Sequence, residues 1–158
     1  MSLLDAAAEL PRRQFSAGQQ VIDQGDPAGP LYVLLAGAVA VERDGVTVAR
    51  TDRPGSVFGE MSVALQRPAT ATVRCLTDAQ LAVATDAHAF LREHPDAAMD
   101  LLRVTAGRVD ALTQYLVDVR TQYADRSDHL GMLDTVLDAL THHQAPPATP
   151  GSVRDPEV

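Results

Sequence analysis

The segment Pro54-Gly55-Ser56-Val57-Phe58-Gly59-Glu60-Met61-Ser62-Val63-Ala64-Leu65-Gln66-Arg67-Pro68-Ala69-Thr70-Ala71-Thr72-Val73 decides how the rest of the chain is read. It places a glycine and an acid at the start of a short helix between two strand-like runs. A helix start offers backbone N–H groups and a positive dipole end, which suit an anion. The Glu60 carboxylate cannot hold that anion, but it can accept hydrogen bonds from a hydroxyl. Phosphate plus sugar is the ligand that satisfies both features. The plain alternative is that Gly59-Glu60 is a turn and cap with no ligand.

Outward from this segment, short apolar runs recur between turn signals. They are Gln20-Val21-Ile22, Leu31-Tyr32-Val33-Leu34-Leu35, Ala38-Val39-Ala40-Val41, Val46-Thr47-Val48-Ala49, Ala71-Thr72-Val73-Arg74-Cys75 and Gln80-Leu81-Ala82-Val83. Many short strands with regular turns mean a barrel or sandwich. Gln24-Gly25-Asp26-Pro27 and Arg53-Pro54-Gly55 supply turn chemistry, and Asp44-Gly45 marks a hairpin. Before this region, residues 2–10 read as a short helix capped by Ser2 and stopped by Pro11. After it come a short helix from Asp86 to Glu93 and, beyond Pro95, a long one over residues 96–124.

The long helix repeats Leu102, Thr105, Val109, Leu112, Leu116, Val119 and Tyr123 at alternating spacings of three and four, a heptad seam that wants a partner helix. The same period is produced by a stripe packed on the chain's own barrel. A second apolar set, Leu101, Val104, Ala111 and Tyr115, offers a face for the barrel, and two faces favour a homodimer. Ser127 restarts a helix over residues 128–141, and prolines 146, 147 and 150 predict a disordered tail over 145–158.

The 158 residues suffice for one domain with a core, and 46% hydrophobic against 22% charged residues excludes a disordered chain. Thirteen basic residues, all Arg, against 21 acidic ones leave a net charge of −8, which argues against direct nucleic-acid or anionic-membrane binding. One cysteine, Cys75, excludes an internal disulfide framework and fits a reducing, cytoplasmic setting. No apolar run reaches the length of a membrane span. The five histidines show no paired strand spacing for a metal, and no G-x-S-x-G elbow appears, so neither a metal site nor catalytic residues are expected.

The spaced motifs together resemble the cyclic nucleotide-binding domain family. They run from Phe15-Ser16-Ala17-Gly18-Gln19-Gln20-Val21 and Gly25 through Leu31-Tyr32-Val33-Leu34, Gly37 and Val39. They continue to Pro54-Gly55, Phe58-Gly59-Glu60 and Ala71-Thr72-Val73. The resemblance covers about residues 10–125. It implies a mainly β fold, an antiparallel β jelly roll (double-stranded β-helix) flanked by an N-terminal helix and a long C-terminal helix. The jelly roll would occupy 1–95, and 96–144 would form a helical dimerisation and transmission segment.

Within residues 59–72, the resemblance implies that Gly59, Met61 and Ser62 line the phosphate and ribose of cAMP or cGMP and that Glu60 binds the ribose 2′-hydroxyl. One departure stands out: Ala69 occupies the place of the family's phosphate-binding Arg. Arg67 is a substitute cation or a solvated side chain; Thr70 resembles members that contact phosphate or a guanine amino group, or is a barrel residue. Alignment with catabolite activator-type regulators suggests Thr113 as the polar residue nearest the base, and its alternative is an exposed helix position. Function is thus expected to be non-enzymatic sensing, without a cofactor other than the nucleotide, passed to a helical dimer or partner protein. The alternative is a degenerate, nucleotide-independent dimerisation or docking module, and a cupin-like metalloenzyme stands third.

Overall fold

The computed structural model describes residues 2–123 and 127–141. Their elements are α1 (Leu3–Ala7), β1 (Arg12–Phe15), β2 (Gln20–Ile22), β3 (Leu31–Ala36), β4 (Val39–Arg43), β5 (Val46–Thr51) and β6 (Val57–Phe58). After these come α2 (Glu60–Leu65), β7 (Thr72–Cys75), β8 (Ala79–Ala84), α3 (Ala87–Glu93), α4 (Pro95–Gln122) and α5 (Ser127–Thr141). The strands form two antiparallel four-stranded sheets, ordered β1-β8-β3-β6 and β2-β7-β4-β5. This is the antiparallel β-roll that the motifs predict.

Strand alternation explains why β3 is apolar on both faces. Tyr32 and Leu34 point between the sheets, where they meet Phe15, Val39, Phe58, Val73, Cys75, Leu81 and Val83. Leu31, Val33 and the partly buried Leu35 face the other way, onto a layer of helices. That outer layer is built on small residues: Ala6 and Ala7 of α1, Ala87 of α3 and Ala97 of α4 meet Ala82 and Ala84 of β8. Cys75 lies in the inner layer, and burial pushes its thiol up from the ordinary range, as for an unreactive structural cysteine.

One element goes unannounced in the residue pattern, and another is very short. β1 is an edge strand paired to β8 with one inward residue, Phe15, too few for alternation to register. β6 has only two residues, pairing Val57 and Phe58 with Val33 and Tyr32. The first helix is shorter than the 2–10 expected. Ser2 caps it as predicted, its hydroxyl accepting from Asp5 N–H at 3.2 Å while Asp5 Oδ2 accepts from Ser2 N–H at 3.0 Å. Ser2 Oγ–H also donates to Asp5 Oδ2 at 2.7 Å, and this bond first, then the one from Ser2 N–H, holds the Asp5 carboxyl below its ordinary pKa. The helix then tightens into three-residue turns, Ala8 N–H to Asp5 C=O and Leu10 N–H to Ala7 C=O at 3.1 Å, before Pro11.

The predicted hairpin joins β4 to β5, with Asp44 at φ 52° and Gly45 at φ 78°, both left-handed as a two-residue type I′ turn requires. β5 lies at a sheet edge and exposes Val46 and Val48.

One compact unit spans residues 1–102 and a second begins at Arg103. The start of α4 belongs to the first: Ala97 is fully buried, Leu101 packs on the helix-facing core, and Leu3 N–H donates to Asp100 Oδ2 at 3.2 Å. Of the second apolar set, Leu101 joins that core, and Val104, Ala111 and Tyr115 belong to the second unit. In the second unit Arg120 pairs with Asp134 of α5 at 2.8 Å. The expected tail over 145–158 lies outside the described residues.

Candidate functional site

The chain leaves β6 at Phe58, turns at Gly59 and enters α2. Gly59 is the N-cap at φ 89°, and a Cβ there would stand 2.7 Å from the Pro30 carbonyl oxygen and 3.5 Å from Ile22 Cδ1. Only glycine fits on both counts. The helical ladder starts with Val63 N–H donating to Gly59 C=O at 3.1 Å, so the N–H groups of the first turn have no acceptor inside the helix. Glu60, half-buried, is the first helical residue. An anion-favouring backbone and a carboxylate acceptor therefore sit side by side, as the residue order suggested.

Ser62 is buried, and its hydroxyl donates back to Gly59 C=O at 3.2 Å, bracing the turn. Met61 is exposed. The helix ends at Gln66, a left-handed C-cap at φ 53°, where Gln66 and Arg67 N–H groups both donate to Ser62 C=O. Arg67 follows, exposed, its guanidinium without a hydrogen-bond or ion-pair partner among the described residues. It is the one cation in residues 59–73. Arg74, next along β7, is already engaged with Glu42 at 3.6 Å and with Gly18 C=O at 3.4 Å.

Ala69 is only 9% exposed, and both its backbone groups are used. Its N–H donates to Asp26 C=O and its C=O accepts from Gly25 N–H, each at 2.8 Å. Thr70 is half-buried. Thr72 Oγ1 accepts from Gln24 N–H at 2.9 Å. Residues 24–26 thus clamp the end of the segment 59–72, the candidate cassette, a role that sequence reading missed because Gln24-Gly25-Asp26-Pro27 signals only a turn.

The structure thus gathers Gly59, Glu60, Met61, Ser62, Arg67, Ala69 and Thr70 into one continuous feature of the first unit. Thr113 belongs to the second unit, where its hydroxyl donates to Val109 C=O at 2.8 Å. A cleft of about 440 Å³ opens beside α2, between residues 28–29, Ser62, Val63 and Gln66 on the helix, and residues 85–88 leading into α3. Ser62 is the one expected ligand residue on its wall. No pattern in the sequence links Gly29 or His88 to this place; tertiary folding alone brings them there. Among the described residues no three His, Cys, Asp or Glu side chains cluster to hold a metal, and no helix is long and apolar enough to cross a membrane.

The chain is similar to several known proteins. The chain is 30% identical over 118 residues to a CRP-like cAMP-activated global transcriptional regulator of Mycobacterium tuberculosis, covering 70% of this chain and 52% of that protein. It is 42% identical over 65 residues to a cGMP-dependent protein kinase of Caenorhabditis briggsae, covering 41% of this chain and 8% of the kinase. The chain therefore spans about half the length of the first relative and a small fraction of the second. Among solved structures, the Thermus thermophilus catabolite activator protein superposes with a TM-score of 0.64 at 28% identity, over 74% of this chain and 58% of that one. The model of the cyclic nucleotide-binding domain matches residues 12–94, from β1 through α3 and across the whole cassette, and the chain belongs to that family.

Proposed function

We propose that the first unit binds a cyclic mononucleotide, cAMP or cGMP, in the cassette of residues 59–72, and that residues 96–144 pass the binding event to a helical homodimer or a protein partner. The observation that carries this reading is the Gly59–Glu60 junction. A side-chain-free N-cap presents first-turn N–H groups to a phosphate, and the adjoining carboxylate accepts from a ribose hydroxyl. The relatives divide between a cGMP-dependent and a cAMP-activated protein, which keeps both nucleotides in view. The role is non-enzymatic and cytoplasmic, with the nucleotide as ligand and no other cofactor. The net charge of −8 argues against this chain contacting nucleic acid itself.

In this reading the phosphate is held by backbone dipoles, with Arg67 as the nearest cation in sequence. Glu60→Ala is expected to weaken nucleotide binding by about tenfold to a hundredfold, the value of a hydrogen bond to a charged group. Arg67→Ala weakens it comparably if the guanidinium reaches the phosphate, and leaves it unchanged if the backbone suffices. Calorimetric titration of the two variants beside the native chain separates these cases. Loss of affinity in neither variant contradicts the assignment of the cassette.

Transmission is assigned to the seam of Leu102, Val109, Leu112, Leu116, Val119 and Tyr123. Leu102 and Leu112 are 59% and 50% exposed, and a second helix covering them would remove apolar surface from water. Serine at both Leu112 and Leu116 is expected to convert a dimer to a monomer in sedimentation velocity and to abolish any ligand-dependent change in assembly. Unchanged assembly and response would remove the seam from the mechanism.

A second reading rests on one observation, Ala69 in the place of the family's Arg. It makes the domain a nucleotide-independent docking module that keeps the fold and has lost the ligand.

A further inference from the structure

We infer that the loop of residues 23–26 couples the end of the cassette to the tip of the β4–β5 hairpin, with Gln24 as the coupling residue. The loop is bonded on both sides. Toward the cassette lie the two 2.8 Å backbone bonds between residues 25–26 and Ala69, and the 2.9 Å bond from Gln24 N–H to Thr72 Oγ1. Toward the hairpin, one side chain makes two bonds to one residue. Gln24 Nε2 donates to Asp44 Oδ1 at 2.8 Å, and Gln24 Oε1 accepts from Asp44 N–H at 2.9 Å. Asp23 N–H donates to Asp26 Oδ2 at 3.1 Å and closes the loop on itself.

Residue 24 therefore spends its backbone on the cassette and its side chain on the hairpin. A primary amide suits that place because it donates and accepts at once, whereas a carboxylate has no donor for Asp44 and would repel it. Asp44 is held at φ 52°, a left-handed conformation that a residue with a Cβ adopts at some cost, and the two bonds from Gln24 offset that cost. What loosens or braces residues 69–72 thereby reaches the hairpin tip. The surface that follows is apolar, since Val46 and Val48 beside the tip are 63% and 59% exposed. The coupling is a property of the chain without ligand, so it does not rest on the nucleotide reading. It adds to that reading a route out of the cassette other than the helical one.

The test is amide hydrogen exchange at Asp44, followed by NMR on the full chain without nucleotide, in the native protein, Thr72→Val, Gln24→Ala and the double variant. Valine is near-isosteric with threonine and a strong strand former, so β7 is retained. Thr72→Val is expected to speed exchange at Asp44 by about three- to tenfold, the value of one net hydrogen bond, and Gln24→Ala by at least as much. In the Gln24→Ala background, Thr72→Val should add nothing further. Gln24→Glu, exposed and of the same shape, keeps an acceptor for Asp44 N–H but loses the donor to Asp44 Oδ1 and sets two like charges together, so exchange should fall between the native chain and Gln24→Ala. Exchange at Asp44 that is the same in Thr72→Val as in the native chain overturns the inference. So does an effect of equal size with and without the Gln24 side chain, which would send the coupling through the β4–β7 ladder, where Glu42 faces Thr72.

Discussion

Placing arginine at residue 69 is expected to tighten binding of cyclic AMP or cyclic GMP by about tenfold to a hundredfold, the value of a charge-assisted bond to a phosphate. The backbone is prepared for the change, because Ala69 is already anchored at both its N–H and its C=O to the loop of residues 25–26. The substitution alters the side chain and leaves the turn in place. It also carries a cost without ligand. Residue 69 is nearly buried, and a guanidinium there without an anion loses solvation. Ala69→Arg should therefore lower the melting temperature of the empty chain and show a larger nucleotide-induced rise than the native protein. Calorimetric titration and thermal melting together read both effects. Equal affinity in the two chains would mean that residue 69 does not face the phosphate.

Gly59→Ala is expected to destabilise the fold by about 2–4 kcal/mol and to abolish nucleotide binding in the fraction that remains folded. Two costs add. A non-glycine residue at a positive φ is strained by about 1–2 kcal/mol. The new methyl would also stand 2.7 Å from the Pro30 carbonyl oxygen, which is backbone and can give way only if the chain at residue 30 moves. That movement displaces the start of α2, the feature to which the proposed reading assigns the phosphate. Gly18→Ala serves as the comparison: it has a similar φ of 83° with nothing within 4 Å of the added Cβ, so it reports the strain alone. Chemical denaturation of both variants should place Gly59→Ala well below Gly18→Ala. Equal losses would contradict the crowding at Pro30.

What the residue pattern revealed and what it concealed follow a physical division. Elements whose signal is local were legible. The Asp44-Gly45 turn, the Ser2 cap, the short helix before Pro95 and the short apolar strands all appear where their own residues place them. β1 was not, because one inward phenylalanine is too little to show a period. The cassette was legible because its residues are contiguous from Gly59 to Thr72. Its clamp was not, since Gln24, Gly25, Asp26 and Pro30 reach it only through the packing of the two sheets. In α4, periodicity could not separate a partner seam from a barrel-facing stripe. Ala97 and Leu101 enter the core of the first unit, and from Arg103 on the helix belongs to the second.

The central claim is that a cassette with alanine at residue 69 still takes a cyclic nucleotide. Calorimetric titration of nucleotide-stripped native chain with cyclic AMP and with cyclic GMP tests it most directly. The account predicts saturable binding of at least one of them at one site per chain, in the micromolar range that a phosphate held by backbone dipoles and a single carboxylate contact can reach, about −8 kcal/mol. Absence of heat and of competition for both nucleotides at millimolar concentration would contradict it and leave the β-roll as a scaffold for its helices.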